Sequence, residues 1–203
     1  MLSYRHAYHA GNFADVMKHT VLVQLLQYLT RKTTPLCYIE THAGAGAYDL
    51  QSAYAAKTGE YQDGIGLFWN DASLPGAMQT YLDLVRTANP NGKLRRYPGS
   101  PLIAQRLLRA QDRLELYELH SSDFALLEHE FRDARRVRCY QADGLLTAIA
   151  MVPPLEKRGL VFIDPSYEVK DEYQRVVETL QRMHRRFATG VYALWYPVTD
   201  RRV

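Results

Sequence analysis

Short runs of apolar residues recur along the chain, and most of them end at a polar or acidic residue. The clearest run is Gly159–Ile163, whose β-branched and aromatic side chains predict a strand buried on both faces. Asp164 and Pro165 follow at once, and Pro165 should end regular strand pairing because it has no backbone N–H. Similar runs predict further strands at residues 36–40, 113–120, 135–140 and 190–197.

Helical patterns lie between these runs. Apolar residues at helical spacing predict a helix over Asp15–Leu29, with Lys18 and His19 off its apolar face. Such residues are usually solvated, although here they can also turn towards a ligand at the mouth of the sheet. Ser100 is predicted to cap another helix, with Pro101 at its first position. Further helices are expected at residues 122–132 and 173–187, and this alternation predicts a doubly wound α/β sheet.

Residues 50–99 break the alternation, because they are rich in turn residues and contain one helix-like stretch at residues 77–85. We predict a single domain over residues 1–203, with a small helical subdomain inserted at about residues 50–99. The insert ends in a basic and aromatic patch, Lys93–Tyr97, which includes Arg95 and Arg96. Such a patch suits contact with a nucleic-acid backbone and bases, and an ordinary solvated face is the alternative.

Composition narrows the class of protein. The chain has 203 residues, 47% of them hydrophobic and 23% charged, with a formal net charge of +3. This is enough for one sizeable core, and no apolar run approaches the ~18 residues of a membrane span. The opening residues contain no apolar signal core, so a cytoplasmic protein is expected. Cys37 and Cys139 are isolated, which predicts neither a metal site nor a disulfide.

The polar residues at the strand ends are the candidate chemistry. Residues 41–46 form a small-residue loop that lets a ligand approach the backbone, although the full G-x-G-x-x-G pattern is absent. Glu118 lies where nucleoside-binding folds place an acid on ribose hydroxyls. The carboxylate of Asp164 and the carbonyl of Pro165 suit the two N–H groups of a planar amine, and Tyr167 suits stacking on its ring. An ordinary strand exit capped by an aspartate is the alternative.

Residues 1–13 are too polar for a core helix and too aromatic for a plain disordered tail. They form either a surface arm or a flap that carries Tyr4, other rings and the cation Arg5 towards a base or a phosphate.

Taken in order, these features resemble the class I S-adenosylmethionine-dependent methyltransferases, which have a Rossmann-like sheet. The resemblance rests on the loop 40–46, Glu118, the pair Asp143-Gly144 and the tetrapeptide at residues 164–167. That tetrapeptide, Asp-Pro-Ser-Tyr, is similar to the Asp-Pro-Pro-Tyr signature of amino-group methyltransferases, chiefly those acting on adenine N6. Ser166 replaces the second proline, which puts the rate in question more than the type of reaction.

A longer match resembles the RlmJ family, whose members methylate an adenine N6 in bacterial 23S ribosomal RNA. The matching segments are residues 1–6, 9–12, 15, 18–20, 41–46, 97–101 and 193–197, and the resemblance covers essentially all of residues 1–198. The same family has also been described as acting in the use of external DNA as a nutrient. The class usually closes its sheet with two further strands, which are missing here, so residues 190–197 are predicted to form an exposed edge.

The resemblance implies S-adenosylmethionine as cofactor and naked or partly assembled 23S ribosomal RNA as partner, with no membrane and no metal. It implies that Glu118 binds the cofactor's ribose, Asp143 its adenine amine, and Lys18 or His19 its methionine carboxylate. The predicted cofactor site is Lys18, His19, His42, Gly44, Ser100, Glu118, Asp143, Gly144 and Asp164. The predicted catalytic residues are Asp164, Pro165 and Tyr167, and the predicted RNA contacts are Tyr4, Arg5, Arg95 and Arg96.

Three other functions remain open from the sequence. A dinucleotide oxidoreductase would use the same first loop and the same acid, but it would need the third glycine and not the Asp-Pro-Ser-Tyr sequence. A non-catalytic nucleic-acid-binding protein would bind no S-adenosylmethionine. A methyltransferase acting on another amino group would share the whole predicted site.

Overall fold

The fold is built on a parallel sheet. In this computed structural model, which describes residues 4–198, the sheet has five strands in the order β5-β4-β1-β6-β7. They are β1 (Cys37–Glu40), β4 (Arg113–Glu118), β5 (Val137–Gln141), β6 (Gly159–Ile163) and β7 (Val191–Leu194), and all neighbours pair in parallel. A separate antiparallel ribbon joins β2 (Ala47–Asp49) to β3 (Arg96–Pro98).

Helices cover both faces of the sheet, as the doubly wound prediction requires. They are α1 (Phe13–Leu29), α2 (Ala53–Thr58), α3 (Ile65–Phe68), α4 (Gly76–Thr87), α5 (Ser100–Leu107), α6 (Ser121–Phe131), α7 (Gly144–Thr147) and α8 (Glu172–Arg186). Neighbouring residues of β1 point to opposite faces, so Tyr38 packs with Leu22 of α1 and Ile39 packs in the cluster that contains Val176 of α8. The central strands are therefore buried on both sides.

The segment between β1 and β4 contains α2, α3 and α4, framed by the ribbon of β2 and β3. The sequence predicted the helical character of this insert but not the ribbon. Tyr81, Leu82 and Val85 of α4 belong to the same apolar cluster as Leu22 of α1, so the insert shares the main core. Its description as a subdomain of its own stays a prediction.

The predicted cap of α5 was wrong. Gly99 occupies the cap position, and Ser100 is already the first residue of the helix with Pro101 behind it. The hydroxyl of Ser100 is free to point elsewhere, and it donates to the carboxyl of Glu40 at the end of β1.

Strand β7 lies at one side of the sheet. Over residues 4–198, β6 is the one strand that pairs with it, so the predicted edge is present. In the same residues, no helix combines the length and the apolar character that a membrane crossing needs.

Candidate active site

The carboxyl ends of the strands open onto one cavity of about 410 Å³. Parallel strands bring their carboxyl ends to the same edge, which is where open α/β sheets bind ligands. Every residue predicted for catalysis or for the cofactor lines this cavity: Lys18, His19, His42, Gly44, Ser100, Glu118, Asp143, Gly144, Asp164, Pro165 and Tyr167.

Asp164 follows β6 and is joined to α1 by an ion pair. Lys18 Nζ lies 2.7 Å from Asp164 Oδ2 and 3.2 Å from Asp15 Oδ1. Of the two alternatives for Lys18, the solvated one was wrong, because only 8% of this residue is exposed. Burial alone would lower the pKa of Lys18, but Asp15 and Asp164 outweigh it and raise that pKa above its ordinary value. A fixed cation therefore faces the carboxylate of Asp164.

Glu118, at the end of β4, holds the small-residue loop in place. One carboxylate oxygen accepts the backbone N–H of Gly44 at 2.8 Å, and the other accepts that of His120 at 2.7 Å. Burial raises the pKa of Glu118, and these two N–H donors oppose the rise. Each carboxylate oxygen has a second lone pair, so Glu118 can also accept hydrogen bonds from ligand hydroxyls.

Asp143 caps the short helix α7 by accepting the backbone N–H of Leu145 at 3.0 Å, and it also pairs with Arg175. Gly144 is close to another backbone segment. A Cβ added at Gly144 would lie 2.2 Å from the carbonyl oxygen of Thr41. The need for glycine at this position therefore comes from the packing of α7 against the end of β1.

Two histidines in the cavity wall are neutral. Burial lowers the pKa of His19 to about 4, and it has the same effect on His42. His19 Nδ1 lies 2.7 Å from the hydroxyl oxygen of Tyr97. His19 is 2% exposed, so the alternative of a solvated residue off the apolar face was wrong for it as well. A neutral imidazole presents hydrogen-bonding nitrogens to a ligand rather than a full positive charge.

The prediction for the basic patch Lys93–Tyr97 was wrong at Tyr97. It was expected beside Arg95 and Arg96 as a ring for RNA contact, but it is fully buried. Its hydroxyl lies between His19 and the hydroxyl of Tyr81, 2.9 Å from the latter. The alternation of β3 turns Tyr97 inwards and leaves Arg96 exposed, so the ring supports His19 instead of meeting RNA.

Glu40 is a buried carboxyl group that the sequence reasoning did not assign. It accepts hydrogen bonds from the hydroxyls of Tyr38, at 2.9 Å, and of Ser100. Burial raises the pKa of Glu40 to about 8. The available signal was an acid at the last position of an apolar strand. Glu40 fixes the hydroxyl of Ser100 at the cavity wall.

Tyr167 has a backbone φ of +56°, in the left-handed region that non-glycine residues rarely adopt. Such a conformation persists where neighbouring contacts hold it. The hydroxyl of Tyr167 donates to the carbonyl oxygen of Trp195 at 2.8 Å, and its ring centroid lies 4.3 Å from that of Tyr173. These contacts hold the ring at the cavity, and its stacking on a base stays a prediction.

Residues 4–13 of the predicted N-terminal arm pack over the cavity, and residues 1–3 lie outside the described part of the chain. The Tyr4 hydroxyl oxygen lies 2.9 Å from His6 Nδ1, and the Tyr4 ring stacks on His9 with centroids 5.4 Å apart. The backbone N–H of Tyr4 donates to Glu168, in the loop after β6, at 3.0 Å. Tyr4, His6 and His9 all line the cavity, which favours the flap over a plain surface arm.

The three arginines predicted to contact RNA each form an ion pair with an acidic side chain. Arg5 is 2.9 Å from Asp123, and Arg96 is 2.6 Å from Glu130. Arg95 makes a longer and more exposed contact of 3.5 Å with Asp49. Unlike Tyr4, these arginines lie outside the cavity lining in the described part of the chain. Their contact with RNA stays a prediction.

The chemistry of the cavity fits a nucleoside with a charged tail. The wall combines the carboxylates of Glu118 and Asp143 with neutral imidazoles and a small-residue loop. Two buried atoms in it, His120 Nδ1 and Glu172 Oε2, lack a hydrogen-bond partner among the described residues. Unpaired buried polar atoms are costly, and a polar ligand would satisfy them. Across residues 4–198, no cluster of three or more metal-ligating side chains is present.

Comparison with known proteins gives the family. Residues 33–203 match the family model described as "Ribosomal RNA large subunit methyltransferase D, RlmJ". Proteins named "Ribosomal RNA large subunit methyltransferase J" are 52% identical in Escherichia coli K12 and 48% identical in Haemophilus influenzae, over 99% of this chain and 72% of theirs.

A crystal structure of a protein from Legionella pneumophila is 45% identical, with a TM-score of 0.88 over 94% of this chain and 70% of that one. This match confirms the Rossmann-like fold. The predicted family is confirmed, because the family model matches residues 33–203 and the two relatives are 52% and 48% identical over nearly the whole chain. The chain belongs to the RlmJ family of ribosomal RNA large subunit methyltransferases.

Proposed function

We propose that this chain transfers a methyl group from S-adenosylmethionine to the N6 amine of an adenine in 23S ribosomal RNA, in the cytoplasm. One observation carries the proposal. The carboxylate of Asp164 and the Pro165 segment stand in a cavity wall shared with the nucleoside-type acid Glu118. Two relatives named for methylation of large-subunit ribosomal RNA support the choice of substrate.

The cofactor supplies a methyl group activated on a sulfonium. Glu118 would hold its ribose hydroxyls, because this carboxylate lines the cavity and each of its oxygens keeps a lone pair beyond the one that accepts a backbone N–H. Asp143 would accept the adenine amine. The neutral rings of His19 and His42, with the oriented hydroxyl of Ser100, add hydrogen-bonding groups around the remaining polar atoms.

The target amine is a weak nucleophile because its lone pair is delocalised into the ring. The carboxylate of Asp164 and the carbonyl oxygen of Pro165 would accept hydrogen bonds from the two N–H groups of this amine. These bonds favour a tetrahedral nitrogen. Positive charge develops on that nitrogen during transfer, so fixed acceptors act most strongly in the transition state. Lys18 keeps Asp164 oriented at 2.7 Å. Asp164 then takes the amine proton, which the methylated nitrogen releases readily.

Tyr167 would stack on the extruded base, and Tyr4 would approach it from the arm. The arm and the loop after β6 are already joined by the hydrogen bond between Tyr4 and Glu168. Ser166 leaves both acceptors of the amine unchanged, so the reaction type does not depend on the missing second proline. An oxidoreductase is disfavoured because nothing in its chemistry requires Asp-Pro-Ser-Tyr at this strand end.

The test is mass spectrometry of nucleosides after incubation of unmodified 23S ribosomal RNA with S-adenosylmethionine that carries a labelled methyl group. The expected product is labelled N6-methyladenosine, and naked and partly assembled RNA are compared in parallel. A labelled product on a different amine would contradict the target. Absence of both a labelled nucleoside and S-adenosylmethionine binding by calorimetry would favour the non-catalytic nucleic-acid-binding alternative.

A further inference from the structure

A continuous line of polar contacts joins the N-terminal arm to the catalytic carboxylate. Tyr4 meets His6 at 2.9 Å, and His6 Nε2 meets Asp15 Oδ2 at 2.9 Å. Asp15 Oδ1 is 3.2 Å from Lys18 Nζ, which in turn is 2.7 Å from Asp164. The line runs from the arm through α1 to the end of β6.

Asp15 is the middle of this line and is fully buried. Its Oδ2 accepts two contacts from the arm, from His6 and from the backbone N–H of Gly11 at 2.8 Å. Its Oδ1 faces Lys18. Oδ2 therefore holds the arm through hydrogen bonds, whereas Oδ1 is joined to Lys18 by an ion pair of 3.2 Å and has no hydrogen-bond partner among the described residues.

We propose that Asp15 is a positioning residue that aligns the arm and Lys18 with Asp164. The inference rests on the proposed function, in which Tyr4 approaches the base and Asp164 accepts its amine hydrogens. It adds a residue that touches neither the cofactor nor the base.

The electrostatics of the cluster support this role. Burial of a carboxylate is expensive unless it is paired and hydrogen-bonded. Although burial raises the pKa of Asp15, the charges of His6 and Lys18 overcome that effect and hold it well below its ordinary value. Asp15 therefore stays ionised, and Lys18 is shared between two carboxylates. Without the charge on Asp15, Lys18 would be drawn towards Asp164 alone and the arm would lose its ionic contact with α1.

A purely structural role for a buried carboxylate is the competing explanation, and Asp112 provides the matched control. Asp112 is 1% exposed and accepts hydrogen bonds from Arg109 and from the backbone N–H of Leu36, each at 2.9 Å. It lies just before β4, at the amino end of the sheet, away from the cavity at the carboxyl ends. Asp112→Asn removes a buried charge as Asp15→Asn does, without touching the line of contacts.

The first measurement is steady-state kinetics of methyl transfer with RNA substrate. In Asp15→Asn we expect kcat to fall on the order of 10-fold to 100-fold, because small misplacements of reacting groups have effects of this size. The dissociation constant for S-adenosylmethionine should stay within about threefold. Asp112→Asn should lower the melting temperature and leave kcat within about twofold. A kcat for Asp15→Asn that matches Asp112→Asn overturns the proposal.

A second measurement does not depend on the reaction. Lys18 Nζ lies 5.5 Å from the centroid of the Trp195 ring, so the fluorescence of Trp195 reports the position of the ammonium. In a Trp69→Phe background, Trp195 is the remaining tryptophan of the chain. Asp15→Asn should change its emission and Asp112→Asn should not. Unchanged emission in Asp15→Asn overturns the alignment of Lys18 by Asp15.

If Asp15→Asn does not fold, Asp15→Glu takes its place. It keeps the buried charge but moves the carboxylate by one methylene, so the same loss of kcat at retained cofactor affinity is expected, and an unchanged kcat overturns the proposal. A wild-type protein that methylates nothing refutes the proposed function instead. The emission of Trp195 and the exchange rate of the Gly11 amide, expected to be slow in the wild type and fast in the variant, still test whether Asp15 holds these groups.

Discussion

Asp164 is the residue on which the proposed chemistry depends most directly. Asp164→Asn keeps the shape of the side chain but replaces a charged acceptor with an amide. Because the acceptor acts on charge that develops in the transition state, kcat should fall on the order of 10²-fold or more. The dissociation constant for S-adenosylmethionine, measured by calorimetry, should stay within about tenfold of the wild-type value, because Asp164 is proposed to contact the target amine and not the sulfonium.

The matched control is Asp171→Asn, an exposed aspartate before α8 that makes no side-chain cap. It lies in the same loop region and should leave kcat unchanged. Full methyl-transfer activity in Asp164→Asn would remove the carboxylate from the mechanism.

Glu40 makes stability depend on pH in a predictable direction. Its pKa is about 8 in the folded protein, because of burial, against 4.5 in its ordinary environment. The folded state keeps this proton where the unfolded chain has lost it, so the contribution to stability is complete below about pH 4.5 and is lost as the pH rises towards 8. Glu40→Gln is neutral at every pH. The free energy of unfolding of the variant should therefore improve relative to wild type as the pH rises.

The measurement is urea unfolding of both proteins at several pH values between about 4.5 and 8. Because all other groups are common to the two proteins, only the difference between their curves matters. Parallel curves would show that Glu40 titrates normally in the folded state.

At the scale of elements, the sequence predicted the features that follow from the direction of the strands, namely the parallel sheet and the acidic residues at its carboxyl edge. The apolar runs fixed the five strands, and parallel pairing alone brings Glu118, Asp143 and Asp164 to one edge. The sequence did not predict that Lys18 is buried. Its ion-pair partner Asp164 is 146 residues away, and the helical period of α1 carries no information about a contact with that residue. Tyr97 was misjudged for the same reason, since its hydroxyl partners His19 and Tyr81 lie in other elements.

The packing of α7 on β1 gives a prediction at this scale. Gly144→Ala would place a Cβ 2.2 Å from the Thr41 carbonyl oxygen and 2.6 Å from Thr41 Cα. Both are backbone atoms, so α7 or the loop after β1 must move, and overpacking of this kind costs about 1–3 kcal/mol. We expect a lower melting temperature together with weaker S-adenosylmethionine binding, because Asp143 moves with α7.

Gly76→Ala is the control, because nothing lies within 4 Å of its added Cβ at the start of α4. It should leave stability equal or slightly higher, since alanine is the better helix former. A Gly144→Ala protein as stable as the control, with unchanged cofactor affinity, would show that this contact relaxes freely.

At the scale of the whole molecule, the predicted RNA-binding surface is only partly electrostatic. The net charge is +3, and several cations near the predicted RNA surface are already paired, including Arg5 with Asp123 and Arg96 with Glu130. The cavity mouth also carries exposed apolar side chains, Phe13, Leu119 and Val169, which the sequence did not single out. RNA binding is therefore expected to combine a modest salt-dependent part with salt-insensitive contact by rings and apolar groups.

The last prediction separates these two parts. Replacement of Arg95 and Arg96 by alanine should weaken RNA binding and flatten its salt dependence, because each phosphate contact contributes about 0.7 to the slope of log K against log salt for single strands. The control, replacement of Arg182 and Arg185 by alanine, removes the same charge from exposed positions near the end of α8. It should change neither slope nor affinity beyond the small effect of net charge. Cofactor affinity should stay the same in both proteins. Equal slopes for the two variants in a salt titration with a single-stranded RNA fragment would mean that Arg95 and Arg96 stay on Asp49 and Glu130 and form an ordinary solvated face.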